Sequence, residues 1–244
     1  MKRRISVCMA TYNGALHIEK QLASILKNLG NTDEIVVSDD NSSDATVAIA
    51  NGFDDERIRV VMNHVDNRGH ITNFENALKN ATGEYLFLSD QDDIWYDNKV
   101  EVMMSALEKH DLVVCDCKIV DGEMKLLNES FYVLLSSGNG LIKNLVKNTY
   151  LGCCMAFNRK VLEKALPFPK DIISHDTWLG LMGELTGSCY FIPEKLQYFI
   201  RHGTNFSITD GQDAMNDQIS PYSFGEKMKM RWVLLKNVTK RRFR

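Results

Sequence analysis

Short apolar runs and stretches with apolar residues at helical spacing alternate along the first hundred residues of the chain. Residues 5–10 form an apolar run of strand length, broken by Thr11-Tyr12-Asn13-Gly14. Ile18, Leu22, Ile25, Leu26 and Leu29 then fall on one helical face, which predicts a helix over 17–28 closed by Gly30-Asn31. A second strand is expected over 34–38. It ends in Asp39-Asp40-Asn41-Ser42-Ser43-Asp44, whose Ser and Asp side chains suit a helix start, with a short helix over 45–50. A third strand covers 58–62, a helix 73–80 with Phe74, Ala77 and Leu78 on one face, and a fourth strand 85–88. Beyond these the pattern gives helices over 100–107 and 178–185. It also gives strands over 112–117, 150–157 and 190–192, the last stopping before Pro193, while 121–140 has no clear period. Strand–helix–strand repetition predicts an α/β fold with a mostly parallel sheet and helices on both faces. No internal repeat, low-complexity stretch or Pro/Gly/Ser linker divides the chain.

The fourth strand runs straight into Ser89-Asp90-Gln91-Asp92-Asp93. Three carboxylates in four positions repel one another and are costly to desolvate, so a positive group is expected among them. A hard divalent cation such as Mg²⁺ or Mn²⁺ takes oxygen ligands and is often shared with substrate phosphates. A solvated acidic turn is the plain alternative. In a doubly wound sheet the carboxyl ends of strands converge on one crevice, which would bring Thr11, Asp39, Asp90, Asp92 and Asp93 near one another. Neither G-x-G-x-x-G nor G-x-x-x-x-G-K-[ST] occurs, so a nucleotide would have to be held without a glycine-rich cradle.

The 44% apolar and 25% charged fractions are ordinary for a globular protein, and a net charge of −3 gives no case for nucleic-acid binding. No run approaches the length of a bilayer span, and the apolar run after Lys2-Arg3-Arg4 is short for a signal-peptide core, so a cytoplasmic location is expected. The six cysteines form no C-x-x-C pair and are expected to be buried free thiols. Charge is concentrated at the end. Residues 221–244 carry Lys227, Lys229, Arg231, Lys236, Lys240, Arg241, Arg242 and Arg244, interleaved with Met228, Trp232, Leu235 and Val238. A basic amphipathic helix of this kind suits either peripheral contact with an anionic membrane or packing back on the domain with a solvated basic face.

Thr11-Tyr12-Asn13, the segment Val37-Ser38-Asp39-Asp40-Asn41-Ser42-Ser43-Asp44, and Asp90-Gln91-Asp92-Asp93 occur in an order that resembles the inverting glycosyltransferases of family 2, which have the GT-A fold. Ser89-Asp90-Gln91-Asp92-Asp93-Ile94-Trp95 is similar to the rhamnosyltransferase-like branch that builds polysaccharides. The resemblance implies a GT-A domain over 1–220, with a nucleotide-binding half (1–100) and an acceptor-binding half (101–220), followed by the basic segment. It implies a nucleoside-diphosphate-sugar donor, dTDP- or UDP-linked, a saccharide or lipid-linked saccharide acceptor, and a divalent cation. By position, Thr11, Tyr12, Asn13, Asp39 and Asp40 would bind the nucleotide, and Asp90, Asp92 and Asp93 would hold metal and diphosphate. Asp176, in Ser174-His175-Asp176, would be the catalytic base. His202 matches a later family position and would be a metal ligand or a diphosphate contact. The family's arginine falls on Ile200, with Arg201 one place along. Arg68 is a candidate diphosphate contact, and Trp95 and Trp178 are candidate walls of the sugar site. The polar stretch 205–220 is expected to close over the donor. A nucleotidyltransferase, or a non-catalytic nucleotide-sugar-binding protein, remains an alternative at this stage.

Overall fold

The computed structural model of the protein describes residues 4–64, 68–202 and 223–242. The expected closing loop over 205–220 lies outside the described residues.

Nine strands make one sheet in the order β3-β2-β1-β4-β8-β6-β9-β5, with β7 paired to β6. Its first half is β1 (Ile5–Thr11), β2 (Glu34–Asp39), β3 (Ile58–Met62) and β4 (Tyr85–Ser89), all parallel. β1 and β2 are buried along almost their whole length, as strands covered on both faces must be. The crossover helices are α1 (Ile18–Leu26), α2 (Thr46–Asn51) and α3 (His70–Asn80). α3 packs on β1 and β2 and buries Phe74, Ala77 and Leu78.

After β4 the strand–helix alternation fails and so does the parallel rule. The two-residue β5 (Ile94–Trp95) follows the acidic turn directly, with no crossover helix, and pairs with β9 at the far edge. α4 (Lys99–Leu107) leads to the long strand β6 (Leu112–Asp121). β8 (Met155–Asn158) runs antiparallel to both β4 and β6. The unassigned 121–140 region holds β7 (Leu126–Asn128) and α5 (Phe131–Leu135), capped by Ser130. α6 (Leu141–Val146) and α7 (Arg159–Ala165) had no clear sequence signal. The strand expected over 150–157 is shorter, because a 3₁₀ turn at Gly152–Cys154 precedes β8.

β9 (Cys189–Arg201) runs through Pro193 rather than stopping before it. Its register against β6 jumps from Cys115–Ile192 to Asp116–Lys195, so Pro193 and Glu194 bulge out of the ladder. A residue with no N–H can sit in a strand at such a place. α8 (His175–Thr186) begins three residues earlier than the apolar pattern indicated, because the Ser174 side chain accepts from Thr177 N and starts the helix there. α9 (Phe224–Arg242) packs Leu234 and Val238 against the domain beside α6 and α8. All six cysteines are free and buried.

Candidate active site

The carboxyl ends of β1, β2 and β4 open onto a cavity of about 620 Å³ that the first turn of α8 also lines. Thr11, Tyr12, Asp40, Asp90, Asp92 and Asp176 line it, six sequence-named residues drawn from four separate segments. The first two loops are laced into a shelf. Asp39 is fully buried, and its carboxylate accepts from Ser42 N (2.7 Å), Ser42 Oγ (2.6 Å) and Thr11 Oγ1 (2.9 Å). Asn13 takes the left-handed conformation, donates from its backbone N to Ser42 Oγ and accepts from Ser43 N at Oδ1. Gln91, which the sequence did not mark as a site residue by itself, clasps Tyr12 by both its backbone groups: Oε1 accepts from Tyr12 N (3.0 Å) and Nε2 donates to Tyr12 O (3.1 Å). A Cβ on Gly14 would lie 2.2 Å from Gln91 Oε1, so this clasp needs glycine there.

The acidic turn divides its labour. Asp90 and Asp92 line the cavity. His202 Nε2 lies 2.9 Å from Asp92 Oδ2, and the His202 ring stacks on His17 with centroids 4.3 Å apart. Asp93 turns towards β9, where Oδ1 accepts from Ile200 N (3.2 Å) and Oδ2 from Gln197 Nε2 (3.0 Å). Gln197 is in turn bonded to the Nζ of Lys99, a fully buried lysine that also donates to Cys153 O (2.9 Å) and sits 4.1 Å above the Trp95 ring. A helix lysine normally reads as surface. Here it is the buried positive charge behind the acidic turn.

Arg68 is exposed next to Gly69 on the cavity rim. Arg201 ends β9 with its guanidinium 5.5 Å from the Phe199 ring centre. The two tryptophans are a correction. Trp95 is 2% exposed and packs against Phe87, and Trp178 is fully buried with Nε1 donating to Ala165 O (3.0 Å). Neither lines the cavity; burying a large aromatic surface in the core outweighed any use as a sugar wall.

Charge in the site is out of balance. Burial, then the negative charges of Asp92 and Asp176, push the Asp90 carboxyl up to about 7. Burial first, then Asp92 and Asp90, hold Asp93 well above the usual carboxylate range. Burial raises Asp176 to about 6, against the lowering effect of the Thr177 N–H. A divalent cation fits these groups. Asp90, Asp93 and Cys153 each bring a ligand atom within 4.8 Å of the others. Burial holds the Cys153 thiol protonated, so the carboxylate oxygens of the acidic turn are the better donors for Mg²⁺ or Mn²⁺.

The family model for glycosyl transferase family 2 matches residues 6–166. The UDP-Glc:alpha-D-GlcNAc-diphosphoundecaprenol beta-1,3-glucosyltransferase WfgD of Escherichia coli is 29% identical over 167 residues, covering 68% of this chain and 64% of that protein. The GalNAc(5)-diNAcBac-PP-undecaprenol beta-1,3-glucosyltransferase of Campylobacter jejuni is 33% identical over 144 residues, covering 58% of this chain and 44% of that protein. This chain therefore spans less than two-thirds of the length of either relative. Among solved structures, S. aureus TarS 1-349 in complex with UDP-GlcNAc superposes with a TM-score of 0.70 at 21% identity, covering 96% of this chain and 67% of that one. The mannosyltransferase PcManGT of Pyrobaculum calidifontis in complex with GDP-Man and Mn²⁺ gives 0.64 at 22% identity, covering 83% and 58%. These structures share the fold, and the family match extends over more than half of the chain from β1 to α7. The chain belongs to glycosyl transferase family 2.

Proposed function

We propose that the protein is an inverting glycosyltransferase that moves a hexose or deoxyhexose from a nucleoside-diphosphate sugar to a saccharide acceptor in surface polysaccharide biosynthesis. The observation that carries this reading is the cavity itself, which Thr11, Tyr12 and Asp40 line together with the acidic turn and Asp176. Thr11, Tyr12, Asn13, Asp39 and Asp40 hold the nucleotide. Asp176 takes the proton of the attacking acceptor hydroxyl. That oxygen forms a bond to the anomeric carbon, the bond from that carbon to the diphosphate breaks, and the nucleoside diphosphate departs with the electron pair. A single displacement inverts the anomeric centre. A divalent cation held by Asp90, Asp92 and His202 would neutralise charge on the departing diphosphate. A UDP-linked donor and a GlcNAc-diphospholipid acceptor are the preferred choices, because the E. coli relative is named for both. Thermal unfolding with UDP-, dTDP- and GDP-sugars, each with and without Mn²⁺, tests the donor site, since a ligand of the folded state alone raises the melting temperature. A Mn²⁺-dependent rise with UDP-sugars is expected; no rise with any donor would sink the reading.

Among the described residues no helix is long and apolar enough to cross a membrane. Phe224, Met228, Trp232 and Leu235 nevertheless form an exposed apolar stripe along α9, with Phe224 78% and Trp232 66% exposed. Arg231 bonds to Val146 O and brings the exposed Val146 of α6 beside it. Lys229, Lys236, Lys240 and Arg242 flank the stripe on the exposed surface. Such a face suits peripheral contact with the anionic inner surface of a cell membrane, where a lipid-linked acceptor would be met. Flotation with anionic and with zwitterionic liposomes tests it; equal recovery with both would remove the electrostatic part of the idea.

A further inference from the structure

His175 lies on the cavity wall next to Asp176 and is 9% exposed. Both of its ring nitrogens are buried without a hydrogen-bond partner in the protein. Such a group costs free energy unless something satisfies it, and native proteins keep few of them. The surroundings hold the ring firmly in place. Phe74 stacks on it with centroids 4.0 Å apart, and His70 meets it edge-on at 5.8 Å. Gly152 faces its other edge, where a Cβ would come within 2.8 Å of Nε2. The fold thus excludes a side chain at 152 and stacks an aromatic at 74 to keep a ring whose polar atoms bond to nothing in the protein.

Burial, and the neighbouring His70, push the His175 imidazolium down to about 3, so the ring is neutral at physiological pH. A neutral imidazole carries one donor and one acceptor. A phosphate would call for a cation, whereas a hydroxyl, itself both donor and acceptor, matches this ring. Asp176 is its neighbour in the first turn of α8, which places the ring beside the reacting sugar.

We propose that His175 is a specificity-determining contact for one sugar-ring hydroxyl at the reacting centre, an inference that rests on the glycosyltransferase reading above. The hydroxyl belongs either to the donor sugar or to the acceptor sugar, and the two sources separate by experiment. Calorimetry would follow UDP-glucose and each of its monodeoxy analogues binding to the wild type and to His175→Phe, which keeps the stack on Phe74 but has no ring nitrogens. Transfer kinetics would run the same comparison with monodeoxy GlcNAc-diphospholipids. One hydroxyl deletion is expected to weaken the wild type by about tenfold and His175→Phe by less than about twofold. Sensitivity in the donor series names the donor, and sensitivity in the acceptor series, read in KM, names the acceptor. If His175→Phe does not fold, Gly152→Ala displaces the same ring and should blunt the response to the same hydroxyl. Equal sensitivity of wild type and variant to every deletion overturns the proposal while the glycosyltransferase reading stands. A wild type that binds no UDP-sugar fails earlier, at that reading, and takes the subsite with it.

Discussion

The two halves of the sheet build their walls of the cavity in different ways. In β3-β2-β1-β4, parallel strands end together, and their loops are tied by a mesh of short side-chain bonds among Thr11, Asn13, Asp39, Ser42 and Ser43. In β8-β6-β9-β5 the strands run both ways. That half contributes the start of α8, capped by Ser174, the 3₁₀ turn at Gly152, and the end of β9, which Asp93 and Asp92 hold by bonds to Ile200 N and His202; the His175 ring is placed by packing alone. The first half resembles a fixed shelf for a charged ligand that varies little. The second brings one imidazole without a protein partner, His175, to the cavity, which is where the subsite proposed above would discriminate.

The sharpest break between the halves is chemical. Asp176→Asn should lower kcat by about 10²–10⁴, the range for loss of a positioned base, with UDP-sugar binding unchanged by calorimetry. Asp92→Asn should instead abolish the Mn²⁺-dependent part of donor binding, because it removes a cation donor from the shelf. Near-normal turnover in Asp176→Asn would move the base elsewhere and erase the contrast.

The next largest effect lies at the joint. Lys99 of α4 bonds to Gln197 of β9 and to Cys153 O, and Gln197 holds Asp93. It is the one buried cation behind the acidic turn among the described residues. Lys99→Met keeps the volume and removes the charge, and takes away the donor to Cys153 O and Gln197 Oε1. A loss of roughly 3 kcal/mol in urea unfolding is expected, as for breaking a buried ionic network. An unchanged urea midpoint would mean that the acidic turn is balanced by something other than Lys99.

The pH dependence separates the walls more gently. Asp176, raised by burial to about 6, is protonated below that value and cannot accept a proton, so kcat should fall about tenfold per pH unit below it. The stability signs differ between neighbours. Asp176 binds its proton at higher pH when folded than when unfolded, so its ionisation costs stability. That cost is relieved as pH falls from about 6 towards its ordinary value of 3.8. His175 is lowered to about 3, so the unfolded chain takes a proton near 6.5 that the folded chain refuses, and stability is lost as pH falls between those values. His175→Phe should therefore flatten the acid side of a stability-against-pH curve. A curve identical to the wild type's would mean that the ring is already protonated in the fold.

What the sequence made legible follows the same division. Apolar runs bounded by turn signals gave β1 to β4 and the crossover helices, because local periodicity and parallel order enforce one another there. The position of the acidic turn was readable for the same reason, since it follows directly on the β4 run. The second half depends on distant partners. β5 is two residues long and exists only because β9 accepts it, and Pro193 reads as a stop until a bulge removes it from the ladder. The 121–140 region needed Asp116 of β6, which accepts from Ser130 Oγ and Tyr132 N, to fix the start of α5. Lys99 and His175 carried no signal of their own, since burial of a lysine or an orphaned imidazole is set by residues far along the chain. Trp95 and Trp178 were misplaced for the converse reason: following an acidic motif in sequence did not put them on its face.

The smallest effect tests whether α9 belongs to either wall. Its inner residues Leu234 and Val238 are buried, while Phe224, Met228 and Trp232 are exposed on the opposite side. Replacing those three with serine removes only partly covered surface, 48% of Met228 and 66% of Trp232 being exposed, so each change should move stability by no more than about 1 kcal/mol. Donor binding should be untouched, because the stripe does not line the cavity. Recovery with anionic liposomes should fall sharply. Leu234→Ala opens a gap in the core and should cost about 2–5 kcal/mol if that packing is as tight as elsewhere. The two variants together separate the sides of one helix. If the serine variant also unfolds at lower urea, the exposed stripe is covered by protein rather than lipid, and α9 belongs with the second half as part of its structure.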